Sequence, residues 1–279
     1  MAVAEAWHST PFSSRMDIPL GVVASLALIP GRDHPAEIVQ IINGSSDRQL
    51  LQGLREVCVH HWARQPELAP VMTPLFAWLV EENVEDLARS VRLVVDACLR
   101  EGILGMTGSS NPEERSHVDV LSWVLMELRS PGARKRLGEY HTPPHLSELV
   151  ANLGAGGTLP PAGEQFMEPA RGTGGIFRAI AQHVRSLGGD PADYEWWLVE
   201  IDPLAAAAAA ANSIVWGLGR RVVVACGDTL RDPQVAERVA STRIELRAER
   251  DTILKKVGAI AAIRRVTTII DQHFGKDGS

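Results

Sequence analysis

The most restrictive feature of this 279-residue chain is the run Glu168-Pro169-Ala170-Arg171-Gly172-Thr173-Gly174-Gly175. It stands between a short apolar segment, Gln165-Phe166-Met167, and a helical pattern that begins near Ile176. Glycine adopts left-handed backbone without steric cost and lets another group approach the main chain closely. A glycine turn leading from a strand into a helix also leaves the first helical amides facing whatever is bound there, which suits a nucleotide-like ligand. Alone, such a turn is equally an ordinary structural turn, so its meaning depends on the strands and turns downstream.

Two further acidic turns stand at the right places. Trp196-Trp197-Leu198-Val199 and Val222-Val223-Val224-Ala225 are compact enough to be buried strands, and helical stretches separate them from each other and from the first. Short apolar segments alternating with helices are the pattern of a parallel α/β sheet. Glu200-Ile201-Asp202 closes the second strand, where a carboxylate in a doubly wound fold accepts the ribose hydroxyls of an adenosine moiety. Capping the alanine run at 205–211 is the alternative role for these two acids. Gly227-Asp228-Thr229-Leu230 closes the third strand, with Asp228 placed to accept from an adenine amino group; a plain glycine–aspartate turn is the alternative.

Before this region, residues 1–130 read as an N-terminal helical domain. Leu50, Leu54, Val57 and His61 recur at helical spacing, as do Val91, Val94, Val95, Cys98 and Leu99. A further helix is expected from Ser110 and Asn111, with Pro112, Glu113 and Glu114 in its first turn and Val118, Leu121, Leu125 and Leu128 on its buried face, stopped by Ser130-Pro131-Gly132. Trp62, Trp78 and Trp123 fall within these apolar patterns and are expected in the core. Residues 131–232 form the sheet-bearing part. Residues 233–279 read as a long charged helical segment, in which Val239, Leu246, Ile253 and Ile260 recur every seven residues; Thr242, Glu249 and Lys256 between them favour a packed helix over a coiled coil. The fold class expected is therefore α/β: a helical domain, a partial Rossmann-like sheet and a long C-terminal helix.

Composition narrows the function classes. A formal net charge of −6 is not that of a protein that coats nucleic acid through phosphate neutralisation, so any DNA contact is local. Arg134-Lys135-Arg136 is the candidate phosphate contact, with a solvated helix end as the alternative. Three scattered cysteines, Cys58, Cys98 and Cys226, suit buried thiols in a reducing cytoplasm. The apolar run Ile18–Ile29 is too short to span a bilayer, so no membrane association is expected. His60 and His61 beside Cys58 lack a second ligand pair at metal-site spacing, and no metal is expected.

Read in order, Gly138-Glu139-Tyr140-His141-Thr142-Pro143, the EPARGTGG turn, Glu200-Ile201-Asp202 and Gly227-Asp228-Thr229-Leu230 make the chain resemble the N6-adenine DNA methylase family, especially the modification subunits of type I restriction–modification systems. The resemblance implies S-adenosylmethionine as cofactor and DNA as substrate, bound to a methyltransferase half-domain. It implies that Tyr140, Thr142 and Pro143 lie beside the methionine end of the cofactor and that Glu168, Ala170, Gly172 and Gly174 cradle its amino-acid part. Glu200, with Asp202 beside it, would hold the ribose, and Asp228 the adenine. Candidate partners are a specificity or other restriction–modification subunit and a second copy of the chain. His141 stands where an aromatic residue is usual, and Arg171 where a small residue or cysteine is common; Arg171 either crowds the site or pairs with the cofactor carboxylate.

Adenine N6 methylation also needs an acceptor for the target amino group and an aromatic side chain to stack on the flipped base. The family supplies both as Asn or Asp, Pro, Pro, then Tyr or Phe. The proline pairs here, Pro143-Pro144 and Pro160-Pro161, follow neither Asn nor Asp, and Asp232-Pro233 reads as a helix start. Catalytic residues are therefore unassigned. Adenine methyl transfer by family resemblance stands beside a catalytically inactive cofactor-binding or DNA-associated remnant acting with a partner, and beside a small-molecule methyltransferase.

Overall fold

The computed structural model describes residues 2–29, 34–129, 158–169 and 172–274. The helical part comprises α1 (Ala2–His8), α2 (Asp17–Ala27), α3 (Pro35–Gly44), α4 (Asp47–Arg64), α5 (Ala69–Phe76), α6 (Val84–Arg100), α7 (Ile103–Thr107), α8 (Pro112–Arg115) and α9 (Val120–Leu128). Then come β1 (Gln165–Glu168), α10 (Gly175–Ser186), β2 (Glu195–Glu200), α11 (Pro203–Val215), β3 (Val222–Cys226), α12 (Val235–Ser241) and α13 (Arg243–Phe274). The architecture is mixed α/β with a three-stranded sheet, as the sequence implies.

The sheet is parallel, in the order β1-β2-β3, with Phe166 opposite Trp196 and Trp196 opposite Val222. Parallel strands are stable when both faces are covered, and alternate residues point to opposite faces. Trp196, Leu198, Val222 and Val224 accordingly join one core with Phe177, Ala181 and Val184 of α10 and with α11. The Trp196 ring lies 5.0 Å from those of both Phe166 and Phe177. Val199 and Ala225 face the other way, against Val235 and Ala236 of α12, with Trp197 and Val239 at the margin.

The apolar run near the N-terminus becomes the centre of the helical part. Every residue from Ile18 to Ala27 is buried, and a Cβ at Gly21 would lie 2.0 Å from the Leu75 carbonyl oxygen, so α2 and α5 touch through backbone. Among the described residues no helix is long and apolar enough to cross a membrane. Helix α4 begins with a reciprocal cap in which Ser46 accepts from the Gln49 amide and Gln49 accepts from the Ser46 amide.

Four expectations need correction. The single helix expected from Ser110 to Leu128 is two: Asn111 caps α8, and Asp119 restarts the chain as α9 by accepting from the Ser122 amide. The break arises because the Ser116 and His117 carbonyls accept from the buried Arg178 guanidinium instead of continuing the helix. Trp78 is fully buried and donates to the Leu75 carbonyl, but Trp62 is half-buried and Trp123 is 52% exposed. Cys98 is a buried thiol that burial pushes up to about 12, whereas Cys58 is half-buried and Cys226 is exposed where β3 ends. The seven-residue spacing of the C-terminal segment also crosses the break between α12 and α13, so Val239 and Ile253 lie on different helices.

Helix α11 is the seam of the molecule. Its alanines, Ala205 to Ala211, are all buried, because the helix is enclosed by the sheet on one side and by α5, α2 and α9 on the other. A helix surrounded on all sides can carry only small side chains if its neighbours are to approach closely. The basic side chains of Arg115 and Arg185 close its far end, donating to the Val215 and Trp216 carbonyls at 2.7 and 2.5 Å. Enlarging a residue in this seam forces overpacking. Ala208→Leu is expected to cost about 1–3 kcal/mol or more in urea unfolding, whereas Ala248→Leu, on the exposed surface of α13, changes stability by less than about 0.5 kcal/mol.

Candidate functional site at the carboxyl end of the sheet

In open α/β sheets the loops beyond the carboxyl ends of the strands form the ligand crevice. The acidic and glycine motifs all come to that end. Gly172 and Gly174 have φ of 56° and 98°, a region that strains residues with a Cβ, and Gly174 is the N-cap of α10. A Cβ on Gly174 would also stand 3.1 Å from the buried Trp216 ring, while one on Gly172 would meet nothing within 4 Å among the described residues. The turn is thus packed on its inner side at Gly174 and open at Gly172.

Glu200 ties the three loops together. One carboxylate oxygen, Oε2, accepts from the Gly172 amide at 2.5 Å, the other from the Asp202 amide at 2.9 Å, and the Glu200 carbonyl accepts from the Gly227 amide at 2.9 Å. Each carboxylate oxygen retains capacity for another donor. Asp202 has the capping role: its Oδ1 accepts from the Ala205 amide at 2.8 Å and from Arg129 Nη2 at 2.6 Å. Asp228 Oδ1 accepts from the Leu230 amide, and its Oδ2 lies 3.4 Å from Arg231 Nε. Thr229 donates to the Pro169 carbonyl at 3.3 Å, joining the third loop to the first. Glu168 ends β1 at the same edge. Glu168, Gly172, Gly174, Glu200, Asp202 and Asp228 are therefore assembled in one place. Tyr140, Thr142, Pro143 and Ala170 lie outside the described residues, as do His141, Arg171 and the Arg134-Lys135-Arg136 cluster.

A second layer of polar residues, missed in the sequence, holds these loops from the helical side. Asp119 is buried at the start of α9. Its Oδ1 accepts from the Ser122 amide at 3.0 Å and from Asn212 Nδ2 at 2.9 Å, and its Oδ2 accepts from the Thr173 hydroxyl at 3.1 Å. Asn212 also donates to the Thr173 carbonyl at 3.0 Å, so the residue between the two left-handed glycines is gripped at both main chain and side chain. At the other end of α9, Arg129, whose side chain is 2% exposed, donates to Asp202. Helix α9 therefore braces the first loop with one end and the second loop with the other. Asp119 followed by Val120 and Leu121 is a readable helix start, but the continuous apolar spacing from Val118 to Leu128 obscures it.

Burial pushes the Asp119 carboxyl above the ordinary aspartate range, against the opposing effect of its hydrogen bonds from Ser122, Asn212 and Thr173 and of the nearby Arg178 charge. The folded chain then binds this proton more tightly than the unfolded chain does. Its contribution to stability is expected to fall as pH rises from the ordinary aspartate range through the raised folded value, and to level off above that. Asp119→Asn is expected to remove this slope and to remain within about 1 kcal/mol of wild type at neutral pH, since one amide oxygen serves Ser122 and Asn212 and the amide nitrogen meets Thr173. Asp119→Ala loses the cap and leaves Thr173 and Asn212 without their acceptor, at a cost of about 2–4 kcal/mol. Urea midpoints across the acidic to neutral range for the three proteins check all of this.

The motifs and their geometry agree with a family match. Residues 118–248 match the model of the family described as N-6 DNA Methylase. The matched segment starts just before Asp119 and takes in α9, the three strands and the beginning of α13. No curated protein matches the chain. S-adenosylmethionine is the usual methyl donor of such a family and DNA its substrate. Over residues 118–248, somewhat under half its length, the chain is similar to the N6-adenine DNA methylase family.

Proposed function

We propose that this chain binds S-adenosylmethionine across the carboxyl ends of β1, β2 and β3, and that the reaction it serves is methyl transfer to N6 of adenine in DNA. The observation that carries the reading is Glu200: its two carboxylate oxygens sit at the tip of the central strand, oriented by the Gly172 and Asp202 amides, with acceptor capacity left for vicinal hydroxyls. The open space beside Gly172 suits close approach of the cofactor to the main chain. Glu168, Ala170, Gly172 and Gly174 cradle the amino-acid part, Tyr140, Thr142 and Pro143 flank its methionine end, and Asp228 accepts from the adenine. Asp202 shares the ribose edge and is held there by Arg129. When bound, the cofactor supplies an electrophilic methyl group on sulfonium; the residues of this chain bind and orient it.

A second reading is favoured by the proline pairs, neither of which follows Asn or Asp. In it the chain is a cofactor-binding or DNA-associated unit that transfers no methyl group by itself and acts with a partner. Calorimetric titration with S-adenosylmethionine, followed by tritium transfer from the labelled methyl donor to DNA, separates the two. Binding with transfer supports the first, and binding without transfer the second. Glu200→Gln is expected to weaken cofactor binding at least tenfold, about 1.4 kcal/mol, with the thermal unfolding midpoint recorded to show that the variant is folded. Failure of the wild-type chain to bind, or unchanged affinity in a folded Glu200→Gln variant, overturns both.

A further inference from the structure

The opposite end of the sheet carries a second site of different chemistry. A cavity of about 430 Å³ opens between the end of α4, the turn after α11 and the start of α13, lined by His61, Arg64, Gln65, Gly219, Arg220 and Arg250 among others. That volume lies within the range of small-ligand sites. Among the described residues its ionisable lining is basic and includes no carboxylate, in a chain whose formal net charge is −6. Because Arg220 and Arg221 precede β3 while Asp228 comes after it, a five-residue strand separates this cavity from the loops of the candidate cofactor site, on the order of 15–20 Å. A ligand here is a different ligand.

The surroundings intensify the positive charge. Arg243 donates to the Arg220 carbonyl at 2.7 Å and Arg247 to the same carbonyl at 3.4 Å, while Arg250 Nη1 donates to the Ala63 carbonyl at 2.5 Å. Five arginines from three parts of the chain thus meet around one turn, with Glu67, bound to Arg247, and Asp251, bound to Arg250, as the carboxylates paired with them. The cluster also holds buried polar atoms that have no partner among the described residues: Nε of Arg243 and Nε of Arg247 are two such donors. Burial, and next the adjacent Arg247 charge, push the Arg243 guanidinium down, while Glu67 and Glu195 act in the opposite direction. Arg64 and Arg220 are exposed at the rim, and Arg250, with a side chain 13% exposed, is held in place at the wall. Planar guanidinium groups converging from different elements match the oxygens of a tetrahedral phosphate.

We propose that this cavity is a phosphate-binding site, in which Arg64, Arg220 and Arg250 receive a phosphate group carried either by the backbone of nucleic acid or by a small phosphorylated molecule. The proposal is independent of cofactor binding at the other end of the sheet. Its test uses the full chain without cofactor. Inorganic phosphate, compared with chloride at equal ionic strength, is expected to raise the thermal unfolding midpoint of wild type and of Arg89→Ala, which removes an exposed arginine of α6 that is not among the residues named as lining the cavity. The same shift is expected to be lost in Arg64→Ala and in Arg64→Ala/Arg220→Ala, with phosphate affinity at least tenfold weaker by calorimetry. Arg64 is exposed, so the single variant keeps the test valid if the double variant is unstable. Titration of a short DNA duplex at several salt concentrations then identifies the source. If the slope of log affinity against log salt falls by about 1 in Arg220→Ala but not in Arg89→Ala, the phosphate is that of the DNA backbone. If inorganic phosphate binds but the DNA slope is unchanged, it belongs to a small phosphorylated ligand. No phosphate-specific stabilisation of wild type, or equal stabilisation of folded Arg64→Ala, overturns the proposal.

Discussion

Burial of α11 on every side is the constraint on which the rest of the structure depends. The helix is both the crossover between β2 and β3 and the surface on which α5, α2 and α9 rest. Parallel strands demand such a covering layer, and here the layer is itself covered. Alanine satisfies both requirements at once, since it favours the helix and leaves its neighbours within reach of each other. The price is that α11 has almost no side-chain chemistry of its own except at Asn212, which faces the buried carboxylate of Asp119. The polar network and the apolar seam are therefore parts of one interface.

That interface explains how a helical region with no recognisable motif contributes to the site. The glycine turn has few side chains with which to hold its own shape, and left-handed backbone persists only where its surroundings determine it. Thr173 supplies the handle, and Asp119 and Asn212 grip it from outside the turn. Asp202 is held from the same helix by Arg129. A buried network of this kind is stable only when its members are satisfied together, so displacement of α9 would disturb the first and second loops at once. The family match beginning at residue 118 takes in this brace from its first turn onward.

The two ends of the sheet present opposite electrostatic characters. Acidic residues close the carboxyl ends of the strands, where Glu168, Glu200 and Asp228 stand, and arginines gather beside the amino end of β3. The second group comes from the end of α4, the turn before β3 and the start of α13, which are far apart in sequence. The first turns of α13 are anchored to the body through this cluster, by Arg243, Arg247 and Arg250. Beyond them, Leu254, Val257 and Ile260 of the same helix are exposed.

What the sequence determined by itself was local and periodic. Strand positions came from compact apolar runs, the left-handed turn from Gly172 and Gly174, and the strand-end acids from Glu200, Asp202 and Asp228, because each depends on neighbours within a few residues. The break between α8 and α9 was hidden, since the apolar spacing from Val118 to Leu128 continues across it and the cause, Arg178, lies about sixty residues further along the chain. The full burial of Ala205–Ala211 was hidden for a related reason: alanine favours helix whether exposed or enclosed, and only packing distinguishes the two. Division of labour between Glu200 and Asp202 likewise awaited the fold, because either carboxylate can cap a helix or face a ligand until the positions of Arg129 and Gly172 are known. Tertiary structure decided those matters because they turn on contacts between residues far apart in sequence, which periodicity and short motifs do not encode.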